Sequence, residues 1–141
     1  MNGLPVFFMA VAAAVFADLG FDVVAADANT SVIDSLKSGK SPIFEPGMDA
    51  LLQKGLASGR LRFTSDLPAA VQGRKNVWFM HDTPVDENDQ PDISCILNDA
   101  KTIAPRLEPG ALVVSTAQAP VGTCDELARL IEEAGHGTDL Q

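Results

Sequence analysis

The chain has 141 residues and a mass of 14.9 kDa, which suits one domain and leaves little room for a second. Apolar residues make up 46% and charged residues 21%, a composition that excludes a collagen, a disordered tail and a disulfide scaffold. Ten basic against nineteen acidic residues give a formal charge of −9, so we expect binding neither to nucleic acid nor to an anionic membrane surface.

The first segment is an unbroken apolar run over residues 4–16, which is too short to span a bilayer as a helix. No Lys or Arg precedes the run, which argues against a signal peptide. We therefore expect a buried helix here, regular over residues 10–19 and ending at Gly20. With no transmembrane segment predicted, we expect a cytoplasmic protein.

From residue 21 onward, strand patterns alternate with helix patterns. Runs of β-branched and alternating apolar residues predict strands at 21–26, 60–64, 76–80 and 111–115. Apolar residues at helical spacing predict helices at 30–37, 49–57, 68–71, 93–107 and 125–134. Thr30 or Ser31 is the expected cap of the first of these helices. The alternation predicts an α/β fold, with a parallel sheet covered by helices on both faces.

Ligands of such sheets bind beyond the carboxyl ends of the strands, and three polar residues lie there. Asp27 follows the first strand, where a carboxylate can accept hydrogen bonds from both hydroxyls of an adenosine ribose and repels a phosphate, which favours NAD over NADP. Thr83 follows the third strand with a hydroxyl suited to a ribose or a phosphate. Gln118 follows the fourth with an amide that donates and accepts. Each also fits an ordinary polar loop residue.

Other reactive side chains are weaker candidates. His81 has no Ser or Cys nearby in the sequence, so we interpret it as a solvated loop histidine. The acidic residues of the 81–92 loop do not follow the spacing of a calcium loop, so no metal site is predicted. Cys95 and Cys124 stand apart from any CxxC or Cys/His cluster and are interpreted as thiols in a reducing cytosol.

Several strings identify a family. The segments SPIFEPGM (41–48), GRLRFTSD (59–66), DTPVD (82–86), IAPRL (103–107) with PG (109–110), and PVGT (120–123) closely resemble the UDP-glucose/GDP-mannose dehydrogenase family. The resemblance covers residues 10–134 in the family's order and spacing. It implies a Rossmann-like NAD-binding domain over residues 1–134, followed by a polar tail at 135–141.

The resemblance also implies a reaction for the complete enzyme. Members of this family oxidise a nucleotide sugar at C6, from alcohol to carboxylate, in two hydride transfers to NAD. Their catalytic cysteine, lysine and asparagine lie beyond the first domain, and this sequence ends before them. Cys95 and Cys124 fall at other positions, so we expect no catalytic residue and no dehydrogenase turnover in this chain.

The front of the sequence departs from the family, which opens with a strand and a Gly-x-Gly-Tyr-Val-Gly turn that admits the pyrophosphate. An alignment without a gap puts Leu4, Val6 and Met9 at the glycine positions, and Phe7 and Phe8 at the Tyr-Val pair. Alternatively, residues 3–5 end a Gly-Leu-Pro variant of the turn. In both alignments the first strand is missing and the glycine turn is missing or degenerate.

The loss of that central strand predicts unpaired backbone groups on its two neighbours. Val32 also stands at the position of the family's basic residue near the adenosine ribose. By resemblance, Asp27 holds the adenosine ribose, while Thr83 and Gln118 lie towards the nicotinamide. We therefore expect weak NAD binding or none. The alternative is a non-catalytic interaction module that docks a partner, or self-associates, through its exposed strand edge.

Overall fold

The structure is a computed structural model that describes residues 4–41, 43–81, 83–85, 87 and 91–134, with side chains from residue 9 onward. The elements in chain order are α1 (Leu4–Asp18), β1 (Val23–Ala26), α2 (Thr30–Lys37), α3 (Met48–Ala57), β2 (Leu61–Thr64), α4 (Leu67–Val71), β3 (Asn76–Phe79), α5 (Ser94–Ile103), a 3-10 turn (Ala104–Arg106), β4 (Leu112–Ser115) and α6 (Thr123–Glu133). The chain divides into two compact units, Met1–Ala70 and Val71–Gln141.

The predicted α/β fold class is confirmed, and each predicted helix and strand exists with its ends shifted by a few residues. The largest shift is at α1, which begins at Leu4. The cap of α2 is Asn29 rather than Thr30 or Ser31, because the Asn29 carboxamide oxygen accepts hydrogen bonds from the backbone N–H groups of Ser31 (3.2 Å) and Val32 (3.4 Å). Thr30 is thereby the first residue of the helix.

The first unit is built on the parallel pair β1–β2. Val23 pairs with Leu61 and Ala25 with Phe63, so these four side chains share one face of the pair. Ala25, Leu61 and Phe63 are buried, whereas Arg62 on the other face is exposed. This alternation explains why residues 60–64 read as a strand in the sequence.

Helices α1 and α3 pack against each other and against this pair of strands. The side chains that α1 buries are small: Ala10, Ala13, Ala14 and Ala17. Gly55 of α3 lies so close to its neighbours that a Cβ built there would be 3.0 Å from Leu61 Cβ and 3.6 Å from Ala17 Cβ. A residue without a side chain at 55 therefore allows α3 to approach both α1 and β2.

Helix α1 contains the residues that the alignment without a gap placed at the glycine turn. Its backbone is helical from Leu4 onward, so Leu4, Val6 and Met9 lie within a helix and do not form a turn. Pro5 is tolerated because it lies in the first helical turn, where its missing N–H has no intrahelical acceptor. Among the described residues, β1 pairs with β2 alone.

The second unit is built on the parallel pair β3–β4, with Asn76 opposite Leu112 and Phe79 opposite Ser115. Helices α5 and α6 pack against each other and bury Ile96, Ala100, Ile103, Leu127 and Ile131.

A parallel sheet covered by helices on both faces predicts buried strands, but only Phe79 of the four residues of β3 is buried. The side chain of Trp78 is 44% exposed, and its indole N–H donates to the Thr116 hydroxyl (3.0 Å) just after β4.

Within the described part of the chain, no helix is long and apolar enough to cross a membrane.

The core of the first unit makes a testable prediction. Leu52 is fully buried, so Leu52→Ala should lower the free energy of unfolding by about 2–4 kcal/mol through lost burial and a residual cavity. The matched control is Leu19→Ala, because Leu19 is 68% exposed and its truncation should change stability by about 0.5 kcal/mol or less. Urea unfolding followed by circular dichroism measures both; equal losses would contradict the assigned core.

Candidate functional site

Asp27 lies directly after β1, in the first unit. Its backbone N–H donates to the Thr64 carbonyl (3.2 Å), which extends the β1–β2 ladder by one bond. Its Oδ1 accepts the backbone N–H of Asn29 (2.7 Å), forming a tight turn before α2. The carboxylate is thus oriented at the carboxyl end of the strand pair, where Oδ2 accepts no hydrogen bond from the described residues.

Two further polar residues of the first unit belong to this edge: Asn29, which was not singled out from the sequence, and Asp66, which with Ser65 was an expected cap of the helix that follows β2. The Asn29 side chain caps α2, and the Asp66 carboxylate accepts the backbone N–H of Ala69 (3.0 Å) after β2. Both follow parallel strands and precede helices, which is the sequence signal that indicated Asp66 and could also have identified Asn29. Of the two, Asn29 is bonded to Asp27 through its backbone N–H.

Thr83 and Gln118 meet in the second unit. Thr83 is nearly buried, at 9% exposure, and its hydroxyl donates a hydrogen bond to the backbone carbonyl of Gln118. The Gln118 side chain is exposed in the loop after β4. The structure therefore brings these two predicted residues together through the threonine hydroxyl and a main-chain oxygen.

This bond defines what Thr83 can offer a ligand. A hydroxyl has one proton, and here the proton is directed at the Gln118 carbonyl. Towards a ligand the oxygen acts as an acceptor, which suits a ribose hydroxyl or an amide N–H. A fully ionised phosphate oxygen carries no proton to donate, so this geometry favours the ribose over the phosphate among the ligands considered for Thr83.

The interpretation of His81 as a solvated side chain is wrong. Its ring lies against Phe79, with centroids 5.6 Å apart, and its Nε2 is 2.8 Å from Oδ2 of Asp99 on α5. The two side chains are 23% and 30% exposed. No local sequence signal indicates this pair, because the partner lies eighteen residues further along the chain.

The acidic loop is described only in part, since Asp82, Asp86 and Asp89 lie outside the described residues. The Asp92 carboxylate accepts the backbone N–H of Ser94 (2.9 Å), and its hydrogen bonds with the Ser94 side chain and backbone hold its pKa below the usual value. In the portion that the structure describes, no three His, Cys, Asp or Glu side chains are placed to hold a metal ion.

Both cysteines are thiols, as the sequence predicts, and both are exposed. Partial burial raises the pKa of the Cys95 thiol, and the negative charges of Asp92 and Asp99 act in the same direction. A raised pKa lowers the thiolate fraction at neutral pH, which makes Cys95 a poor nucleophile.

The first unit also has an open groove of about 400 Å³, away from Asp27. It is lined by residues that begin or precede α3, including Ser41, Phe44, Gly47 and Asp49. None of the three predicted cofactor residues borders it.

Comparisons with known proteins agree on one family. The family model for the NAD-binding domain of UDP-glucose/GDP-mannose dehydrogenases matches residues 7–141. UDP-glucose 6-dehydrogenase of Rhizobium meliloti is 42% identical over 126 residues, which are 89% of this chain and 29% of that protein. UDP-N-acetyl-D-mannosamine dehydrogenase of Pyrococcus horikoshii is 35% identical over 130 residues, 92% of this chain and 29% of that protein.

Solved structures show the same likeness. A ternary complex of GDP-mannose dehydrogenase from Pseudomonas aeruginosa matches 94% of this chain and 32% of that chain, with a TM-score of 0.86 and 31% identity. UDP-D-ManNAc dehydrogenase from Pyrococcus horikoshii matches 98% of this chain and 32% of that chain, with a TM-score of 0.81 and 33% identity. The chain thus spans about a third or less of the length of these relatives, and its fold is Rossmann-like.

The Thr83–Gln118 bond can be tested by removing one hydroxyl. Thr83→Val keeps the side-chain shape and should lower the free energy of unfolding by about 1 kcal/mol, because the Gln118 carbonyl loses a nearly buried donor. Thr102→Val is the matched control: its hydroxyl donates to the Asn98 carbonyl (2.8 Å) on the exposed side of α5, where water replaces it. Urea unfolding that shows equal effects would contradict the assigned role of the Thr83 hydroxyl.

Proposed function

The chain belongs to the UDP-glucose/GDP-mannose dehydrogenase family, and from this premise we propose that it is the cofactor-binding part of a nucleotide-sugar dehydrogenase. The complete enzyme would oxidise the C6 alcohol of a UDP- or GDP-sugar to the carboxylate, with NAD accepting hydride. The observation that carries the proposal is a family match over nearly the whole chain, together with an oriented carboxylate at the end of β1.

Asp27 fits the adenosine end of NAD. The Asn29 N–H uses one lone pair of Oδ1, which leaves the rest of the carboxylate to accept hydrogen bonds from two ribose hydroxyls. The same negative charge would repel the 2′-phosphate of NADP. Val32 stands on α2 where the family has a basic residue, so no cation at that position offsets the repulsion.

Thr83 and Gln118 would serve the nicotinamide side. The Thr83 oxygen can accept a hydrogen bond from a ribose hydroxyl or from an amide N–H. The exposed Gln118 side chain can both donate and accept; it belongs to the central residue of a turn in which the Ala119 N–H donates to the Ala117 carbonyl (3.0 Å). These residues would bind and orient the cofactor; NAD itself would supply the hydride chemistry when bound.

The pyrophosphate is the part of NAD that this chain fits poorly. A glycine turn lets the phosphates approach backbone N–H groups, and the positions aligned with its glycines lie within α1. Side chains at Leu4, Val6 and Met9 also replace the hydrogens that glycine would present. We therefore propose that this chain binds NAD weakly, with the contact at Asp27 supplying much of the selectivity.

Titration of the ¹⁵N-labelled chain with NAD tests these assignments. We expect shifts of the amide signals of Asp27 and Asn29 at millimolar NAD, and smaller shifts with NADP. Asp27→Asn keeps an acceptor for the Asn29 N–H but removes the charge, so NAD binding should weaken about fivefold and the preference over NADP should fall. Asp34→Asn is the control, because Asp34 is exposed on α2 in the same unit.

Two results would overturn this proposal. Calorimetry showing micromolar NAD affinity would contradict the proposal that the chain lacks a pyrophosphate contact and binds NAD weakly. Shifts that Asp27→Asn and Asp34→Asn alter equally would contradict the role of Asp27.

A second proposal concerns self-association, and the open edge of β1 favours it. Val23 donates its N–H to the Arg60 carbonyl (2.8 Å), and Asp27 repeats the pattern four residues later. Because a parallel strand alternates the direction of its backbone groups, those of Val24 and Ala26 point away from β2. No described residue pairs with them, so a second copy of the chain can add its own strand there.

Charge would limit this association. Asp22 and Asp27 flank β1, so two antiparallel copies of the strand would bring like charges together at both ends. Because salt screens such repulsion, the dimer fraction should rise with ionic strength.

Size-exclusion chromatography with light scattering tests the edge. Val24→Pro should reduce the dimer fraction at high salt without unfolding the chain, because the lost N–H is one that β2 does not use. Val23→Pro is the matched control, since it removes the bond to Arg60 and should destabilise the monomer. A chain that stays monomeric at every salt and protein concentration would contradict this second proposal.

A further inference from the structure

We infer that Asp99 is a positioning residue, which acts through His81 to hold the loop that carries Thr83. The link to cofactor binding rests on the proposed function, whereas the mechanical role of the pair does not.

The first step is the orientation of the His81 ring. A carboxylate has no proton to donate, so Nε2 carries the hydrogen of the 2.8 Å contact with Asp99 Oδ2 whether or not the ring is charged. The other nitrogen, Nδ1, is buried and has no hydrogen-bond partner among the described residues. Asp99 is therefore the polar group that fixes the ring, with Phe79 supporting one side of it.

The second step is the connection to Thr83. His81 is the second residue after β3, and Thr83 follows two positions later. Beyond Thr83 the loop folds back, because the Asp92 N–H donates to the Pro84 carbonyl (2.7 Å) and Val85 forms an antiparallel bridge with Pro91. Thr83 thus lies between the His81 contact on one side and this folded segment on the other.

The third step is rigidity. Asp99 projects from α5, a ten-residue helix whose buried face includes Ile96, Ala100 and Ile103. A side chain on a packed helix is a firmer attachment than a loop residue, because its backbone cannot move without disturbing the core. The His81–Asp99 contact therefore restrains the start of the loop against movement relative to α5.

The fourth step concerns ligand binding. With its hydroxyl proton directed at the Gln118 carbonyl, Thr83 presents the lone pairs of its oxygen as acceptors in a fixed direction. A loop that moves would populate arrangements in which that bond is broken. Removing Asp99 should therefore weaken cofactor binding without any contact between Asp99 and the cofactor.

The experiment compares Asp99→Ala and Asp99→Asn in the 141-residue chain by NMR. Asn98→Ala is the matched control, because Asn98 is the exposed neighbour on the same helix. The chain has two histidines, so His136→Gln identifies the imidazole signals of His81. The readouts are the imidazole Nε2–H proton, the amide-exchange rates of Thr83 and Gln118, and the NAD affinity.

We expect a resolved Nε2–H signal in the wild type, its loss in Asp99→Ala, and its retention in Asp99→Asn, whose carboxamide oxygen still accepts. Amide exchange at Thr83 should rise several-fold in Asp99→Ala alone, and NAD affinity should fall about three- to tenfold with partial recovery in Asp99→Asn.

Unchanged amide exchange at Thr83 in a folded Asp99→Ala variant would overturn the positioning role. If Asp99→Ala shows the imidazole and exchange effects but the wild-type chain shows no NAD-induced shifts, the positioning role is supported and the proposed function is overturned. Equal effects in Asn98→Ala would show a general response of α5 and would also overturn the inference.

Discussion

Parallel pairing of β1 with β2, and of β3 with β4, is the constraint on which the candidate site depends. Within each unit it brings two carboxyl ends to one edge, where the chain must leave the ladder and turn into a helix. The polar groups used for those turns are therefore also the groups that we propose contact the cofactor. Asp27 holds the Asn29 N–H, and Thr83 holds the Gln118 carbonyl.

Packing makes the first edge rigid. Alanines on α1 and Gly55 on α3 allow these two helices to approach each other closely. Leu61 and Phe63 fill the space beside β1. Such an arrangement leaves the backbone at the end of β1 little freedom to move, since small residues at the contact leave few voids. The Asp27 carboxylate, oriented by its own hydrogen bond to Asn29, follows directly on this packed strand.

The order of elements could be predicted because it depends on periodicity and turn residues, which are local. The fold class followed from the alternation of strand and helix patterns, whereas the three candidate cofactor residues, taken from strand ends and from the family's strings, stay predictions. The His81–Asp99 pair could not be predicted, because its partners are eighteen positions apart and meet only when α5 packs. The exposure of Trp78 was missed for a related reason: a continuous apolar run indicates a strand, while its burial depends on what covers it.

Trp78 has one further consequence. It is the single tryptophan of the chain, it is 44% exposed, and its indole N–H is bonded to Thr116, two residues before Gln118. Indole emission responds to solvent and to hydrogen bonding, so the protein carries a natural fluorophore beside the loop after β4. Events at that loop can be followed optically in the unlabelled chain, without the background of other tryptophans or of tyrosine, which the sequence lacks.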